Sequence, residues 1–145
     1  GKEYYAILGQ WEITEYLGES DYRHVENTDS EAYAREQELT QDIVDTYLGQ
    51  ELEMSWDRRS ISVDTFGSAS EYGYYYTSLE NLYKVYGQPE TLDMEAPVFC
   101  ATIHPNVFKR DIDIIVDKNG KAAICIEGRF FRLERSDEEE LRTWE

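Results

Sequence analysis

The chain has 145 residues, enough for one domain that buries roughly two-thirds of its unfolded surface. Asp and Glu total 31 against 14 Lys and Arg, which gives a net charge of −17. This charge would repel phosphates, so we expect no nucleic-acid partner, whereas a cationic partner is compatible with it. No apolar stretch is long enough to predict a membrane-spanning segment.

The first half of the chain predicts one strand and two helical regions. Residues 9–17 alternate apolar and polar side chains, as in a half-buried strand. A capping-box pattern at 28–31 opens one or two helical segments that end at Gly49, with Thr40 as the candidate cap of the second segment. A similar pattern opens a shorter helix at residues 77–87.

Two hairpin strands and a tyrosine-rich segment separate these helical regions. Residues 51–56 and 61–66 alternate on either side of a polar turn and predict a hairpin. One face of this hairpin is expected to carry Leu52, Met54, Trp56, Ile61 and Val63. Residues 67–76, which are rich in Gly, Ser and Tyr, predict an irregular segment or an edge strand.

The last third of the chain predicts an antiparallel meander. Asn119-Gly120 between two apolar runs is the strongest short-range hairpin pattern, and Glu127-Gly128 marks a second turn. The acidic residues 136–145 are expected to form a frayed tail or a last helical turn. The strands of the meander are expected near residues 98–104, 111–117, 121–127 and 129–135.

These elements predict an all-β fold with two short helical insertions, in a single domain that spans residues 1–145. About seven antiparallel strands have many edges, and a closed or nearly closed barrel is the economical way to protect them. The alternative is an α+β cone-shaped domain with the first helix packed on a curved antiparallel sheet. Such a domain would hold a hydrolase or isomerase pocket that uses His104 and an acid.

Gly9 and Trp11 in the first strand, with Arg135 in the last, resemble the pattern of lipocalin-like (calycin-type) β-barrels, especially small bacterial extracytoplasmic members. The resemblance implies that Trp11 closes the base of the barrel. Alternation from Phe131 and Leu133 sends Arg135 inward, where it could lie over the indole as a cation–π cap. The resemblance also implies a non-enzymatic protein without a cofactor, which binds a small apolar or amphipathic ligand at the open end.

Tyrosine is the unusual residue in the composition, with 12 in the chain. Its ring offers contact area at low entropic cost, while its hydroxyl requires a partner or water. Trp56, Tyr72, Tyr74, Tyr75 and Tyr76 are therefore the candidates for a ligand cavity or its mouth. The structural alternative is an aromatic edge strand with alternate rings buried.

Other reactive side chains predict no catalytic or metal site. Cys100 and Cys125 lie in apolar, strand-like runs and could form a disulfide between neighbouring strands or remain two buried thiols. His104 follows Cys100 without any pattern typical of a Cys-His nucleophile. Asp117 and Asn119 suggest calcium ligands, but their spacing is not that of an EF-hand and a hairpin turn explains them.

The chain begins with Gly1 rather than Met, so we expect a processed piece of an exported parent, secreted or surface-attached. A second class of function is an interaction module in a cell-envelope assembly, with a filled barrel and an acidic, tyrosine-rich surface that contacts a protein partner. A pocket lined by inward Tyr and Trp would favour ligand binding. A solid core with an exposed aromatic patch would favour the interaction module.

Overall fold

A computed structural model describes residues 7–18, 29–57, 60–63, 71–76, 78–89, 91–95, 97–103 and 112–136. For 55–57, 60–63, 71–76, 97–99 and 101–103 it describes the backbone only. These residues form a β-rich, antiparallel fold with two helices. In chain order the elements are β1 (Gly9–Tyr16), α1 (Glu31–Tyr47), β2 (Glu51–Asp57), β3 (Ser60–Val63), β4 (Glu71–Tyr76), α2 (Leu79–Tyr86), β5 (Pro97–Ile103), β6 (Ile112–Asp117), β7 (Ala122–Ile126) and β8 (Arg129–Arg135).

Strands β6, β7, β8, β1 and β2 lie side by side in that order and form a curled half-barrel of antiparallel strands. Backbone pairing also joins β2 to β3, β3 to β4, β4 to β5 and β5 to β6. The expected β-rich fold and the expected meander of the last third are both confirmed.

The two turns of the meander have the predicted positions. Between β6 and β7, the Asp117 carboxylate accepts hydrogen bonds from the backbone N–H groups of Asn119 at 2.8 Å and Lys121 at 2.9 Å. Between β7 and β8, Glu127 and Gly128 have φ values of 47° and 84°. Positive φ at both central residues matches the right-handed twist of the flanking strands, so this two-residue loop keeps β7 and β8 in register.

Strands β6 and β7 are buried on both faces, which explains their almost continuous apolar sequences, whereas on β8 the outward-facing Arg132 is partly exposed and Glu134 is exposed. Neighbouring residues such as Ile114 and Ile115 therefore belong to different clusters. The inner cluster consists of Ile7, Trp11, Ile13, Ile43, Leu52, Met54, Ile112, Ile114, Val116, Ala122, Ile124, Ile126, Phe131 and Leu133. The outer cluster consists of Leu17, Leu82, Leu92, Cys100, Ile115, Ala123, Cys125 and Phe130.

Helix α1 is one continuous helix rather than two segments. Its N-cap is Ser30, whose hydroxyl accepts a hydrogen bond from the Tyr33 N–H at 3.1 Å, so the cap lies two residues beyond the predicted Thr28. Thr40 caps nothing, because it lies inside the helix and its hydroxyl accepts a hydrogen bond from Arg129. Of the two alternatives, one helical segment or two, the structure shows one, and Thr40 is not a cap.

Helix α2 packs Leu82 into the outer cluster and ends at Gly87, as predicted. Its N-cap is Ser78, whose hydroxyl accepts a hydrogen bond from the Asn81 N–H at 3.1 Å. None of the described helices is long and apolar enough to cross a membrane.

The tyrosine-rich segment differs from its prediction. Residues 71–76 form strand β4, which pairs with β3 on one side and with β5 on the other, so this segment is neither irregular nor an edge strand. Tyrosine favours strands, and a single glycine at position 73 is not enough to interrupt the pairing.

Candidate functional site

One end of the inner cluster is closed by Trp11 and Arg135, which face each other on β1 and β8. The Arg135 guanidinium carbon lies 4.3 Å from the centroid of the Trp11 ring, in a cation–π contact. The indole N–H donates to the carbonyl of Ile7 at 2.7 Å, and Arg135 Nη1 donates to the carbonyl of Leu8 at 2.8 Å. Gly9 starts the strand with φ at 118°, a conformation that favours glycine. Residues 7 and 8 are thus tied to both side chains.

Arg129 lies at the opposite end of the inner cluster, and the sequence analysis did not identify it. Its side chain has no exposed surface, and Nε donates to Thr40 Oγ1 at 3.1 Å. Nη1 donates to the carbonyl of Glu127 at 2.8 Å, and Nη2 donates to the Glu36 carboxylate. Alternation along β8 puts Arg129 on the same face as Phe131, and this pattern could have predicted an inward-facing arginine from the sequence. We call Arg129, Thr40 and Glu36 the polar latch.

Helix α1 covers the inner cluster at the end that holds the polar latch. Ile43 has no exposed surface and belongs to the inner cluster. Leu39, Val44 and Tyr47 pack against the cluster and are partly buried. The helix connects the end of β1 to the start of β2. Because these strands are antiparallel neighbours, both of these strand ends lie at the same end of the sheet. The inner cluster is therefore covered by α1 at one end and by Trp11 and Arg135 at the other.

The candidate ligand-binding residues lie on β2 and β4, and their side chains lie outside the described residues. Backbone register places Trp56 opposite Ile61 and Ile61 opposite Tyr72, in one row across three strands. By alternation, position 56 shares a face with Leu52 and Met54 of the inner cluster.

The other three tyrosines divide between the two faces of the sheet. Position 76 lies opposite Ala101, which lies opposite Ile114 of the inner cluster. Positions 72, 74 and 76 therefore share the inner face, whereas position 75 belongs to the other face. Backbone register alone thus puts position 75 on a different face from positions 72, 74 and 76, and the ligand-binding set stays a prediction.

Cys100 and Cys125 are both buried, and the structure has no disulfide between them. The reason is topological, because β6 lies between β5, which carries Cys100, and β7, which carries Cys125. Burial, with a smaller contribution from the Asp113 carboxylate, raises the pKa of Cys100 to about 12. The Cys100 thiol therefore stays protonated at neutral pH and is a poor nucleophile.

Tyr83 of α2 adds a second protonated group to the outer cluster. Burial, and then the nearby Cys100 and Asp93, raise the pKa of Tyr83 to about 12. Its hydroxyl is buried and finds no hydrogen-bond partner among the described residues, and its ring centroid lies 6.3 Å from that of Phe130. Neither Tyr83 nor Cys100 can act as a base near neutral pH.

The carboxylate at the β6–β7 turn has a structural role. Besides Asn119 and Lys121, the Asp117 side chain accepts a hydrogen bond from the backbone N–H of Glu95 at 3.2 Å. A salt bridge of 3.0 Å between Glu95 and Lys118 strengthens this connection. Among the described residues, no group of three or more His, Cys, Asp or Glu side chains could hold a metal ion. His104, on which the cone-shaped alternative depends, lies outside the described residues.

Comparisons with known proteins identify no relative: no family model matches the chain, no curated protein matches it, and no solved structure matches it.

Proposed function

We propose that the protein is a non-enzymatic, extracytoplasmic binding protein for a small apolar or amphipathic molecule, built on a lipocalin-like barrel. The observation that carries the proposal is the alignment of positions 56, 72, 74 and 76 on the face of the inner cluster. Three tyrosines and one tryptophan at these positions would give an aromatic wall with few rotatable bonds, which suits a mostly apolar ligand.

Closure of the sheet into a barrel is part of the proposal. The pairing of β1 with both β2 and β8 supports it, as does the continuous pairing from β2 to β6. A barrel of eight strands is just wide enough either to fill with side chains or to hold one small ligand. Its two halves would then have different roles, with the ligand on the side of β2 to β5.

The packing of the described half supports this division. Large side chains without exposed surface, such as Ile13 and Phe131, already fill the inner face of β1 and β8. A ligand of a few hundred daltons would therefore contact the aromatic positions rather than displace this core. The stacked Trp11 and Arg135 would close the base beneath it.

A non-catalytic role fits the chemistry of the described residues. Cys100 and Tyr83 are both protonated near neutral pH, and burial raises the pKa of each further, to about 12. The extracytoplasmic location rests on the lipocalin-like pattern of Gly9, Trp11 and Arg135.

The second candidate is a cell-envelope interaction module with a filled barrel and no small ligand. The observation in its favour is that Ile43 closes one end of the inner cluster while Trp11 closes the other. In this case the side of β2 to β5 would be filled by its own side chains, and the acidic surface would contact the partner.

Binding of the neutral fluorophore Nile red separates the two candidates. Ligand binding predicts saturable, stoichiometric enhancement of its fluorescence. Tyr74→Ala is expected to weaken this binding, because position 74 shares the inner face, whereas Tyr75→Ala is the matched control on the other face and should leave it unchanged. Equal effects of the two variants, or no saturable binding by the wild type, would reject the ligand site.

A further inference from the structure

We propose that α1 is a hinged cover of the inner cluster, held shut by the polar latch and able to open without unfolding of the sheet. The inference rests on the proposed function only in that the opening would be the ligand's route to the interior. The opening itself is a property of the ligand-free protein.

The cover is weakly anchored along most of its length. Of its 17 residues, Thr40 and Ile43 are the buried ones. The first nine residues, 31–39, contribute no fully buried side chain, and most of them are exposed. The apolar contacts of α1 with the inner cluster begin only at Leu39, so the residues before it lose little apolar contact when they move away. Local opening of this part is therefore expected to be easier than global unfolding.

The polar latch holds α1 closed, but opening it costs less free energy than opening an apolar contact would. Arg129 is completely buried, and removing its charge from water has a free-energy cost that its bonds to Glu36 and Thr40 of α1 largely offset. When the helix leaves, water can hydrate the guanidinium and recover that cost. An apolar residue at position 129 would gain nothing on exposure, so a buried arginine narrows the free-energy difference between the closed and open states.

The C-terminal end of α1 provides a fixed hinge. Gly49 has φ at 87° with nothing within 4 Å of the position its Cβ would take. Its N–H donates to the carbonyl of Ile13 at 2.7 Å, and the Ile13 N–H donates to the carbonyl of Gln50 at 2.9 Å. These bonds hold the hinge on β1, so the N-terminal part of the helix is the part free to swing.

Hydrogen exchange measured by mass spectrometry tests the opening in the ligand-free protein. Peptides from α1 should exchange well before peptides from β7. Glu36→Gln weakens the latch and should speed exchange in α1 about fivefold, without changing exchange in β7. The matched control is Glu15→Gln. Glu15, on β1, forms a salt bridge of 3.1 Å with Arg132, which lies on β8 like Arg129 but on the outer face. This control should leave exchange in α1 unchanged.

The double variant Thr40→Val/Arg129→Met replaces the latch with apolar groups and should slow exchange in α1. If the double variant does not fold, the comparison of Glu36→Gln with Glu15→Gln decides alone. Equal exchange rates in α1 and β7 of the wild type, or equal effects of the two Gln variants, would overturn the hinged cover. Faster Nile red association in Glu36→Gln would link the opening to ligand entry. Opening of α1 without dye binding in any variant would leave the cover standing and reject the proposed function.

Discussion

Arg135 lies over the indole of Trp11, with 4.3 Å between its guanidinium carbon and the ring centroid, at the point where the first and last strands pair. Trp11 is only 2% exposed, so the contact is shielded from water on the indole side. The arginine also donates to the Leu8 carbonyl and thereby fixes the chain that leads into β1. One side chain thus connects β8 both to β1 and to the residues that lead into β1.

Arg135→Ala should lower the free energy of unfolding by about 1–2 kcal/mol, since it removes the cation–π contact, the bond to Leu8 and the packing of the arginine stem. Urea denaturation followed by tryptophan fluorescence measures this change. The control is Arg132→Ala on the same strand, whose ion pair with Glu15 is exposed and should contribute at most about 1 kcal/mol. An equal loss in both variants would show that the stack over Trp11 adds nothing specific.

Thr40→Val should lower the free energy of unfolding by about 1–3 kcal/mol, because it leaves a buried guanidinium N–H without its acceptor. Thr46→Val is the matched control in the same helix, since Thr46 is exposed. Thermal or urea denaturation of the two variants measures the difference. A loss in Thr46→Val as large as that in Thr40→Val would mean that helix propensity, and not the bond to Arg129, explains the effect.

Stability should fall as the pH rises above about 9, because the pKa values of Cys100 and Tyr83 are raised to about 12 in the folded protein. The unfolded chain releases these protons at lower pH, so deprotonation favours unfolding between the unfolded and folded pKa values. Urea denaturation between pH 7 and pH 11 measures this slope, and Cys100→Ala should reduce it. A slope that is the same in Cys100→Ala and in the wild type would contradict the assignment.

Replacement of Glu127 by Asn should stabilise the protein by about 0.5–1 kcal/mol, since a glutamate at a φ of 47° is strained and Asn tolerates this conformation better. Glu134→Asn on the exposed face of β8 is the control and should be neutral or slightly destabilising. Denaturation midpoints of the two variants decide the matter. A lower midpoint for Glu127→Asn would show that the native side chain contributes more than its strain costs.

Local patterns identified the meander correctly because its turns are specified by adjacent residues. Asn119-Gly120 and Glu127-Gly128 each predict a hairpin from their own residue types. Alternation from Phe131 likewise predicts that Arg135 lies on the inner face.

Long-range contacts account for what the sequence analysis missed. Thr40 resembled a helix cap because its partner, Arg129, lies 89 positions away in the chain. The pattern around Gly73 predicts an irregular segment or an edge strand because the two neighbours of β4, β3 and β5, cannot be recognised from that segment alone. Composition offered no sign that β6 would separate Cys100 from Cys125.

Native mass spectrometry of protein purified from the cells that produce it, set beside its denatured mass, tests the proposed binding function most directly. The ligand proposal predicts a stoichiometric adduct of a few hundred daltons that organic solvent extracts, and weaker retention of that adduct in Tyr74→Ala than in Tyr75→Ala. A native mass equal to that of the bare chain, in protein that also fails to bind Nile red, would contradict the proposal and favour a filled barrel that binds another protein.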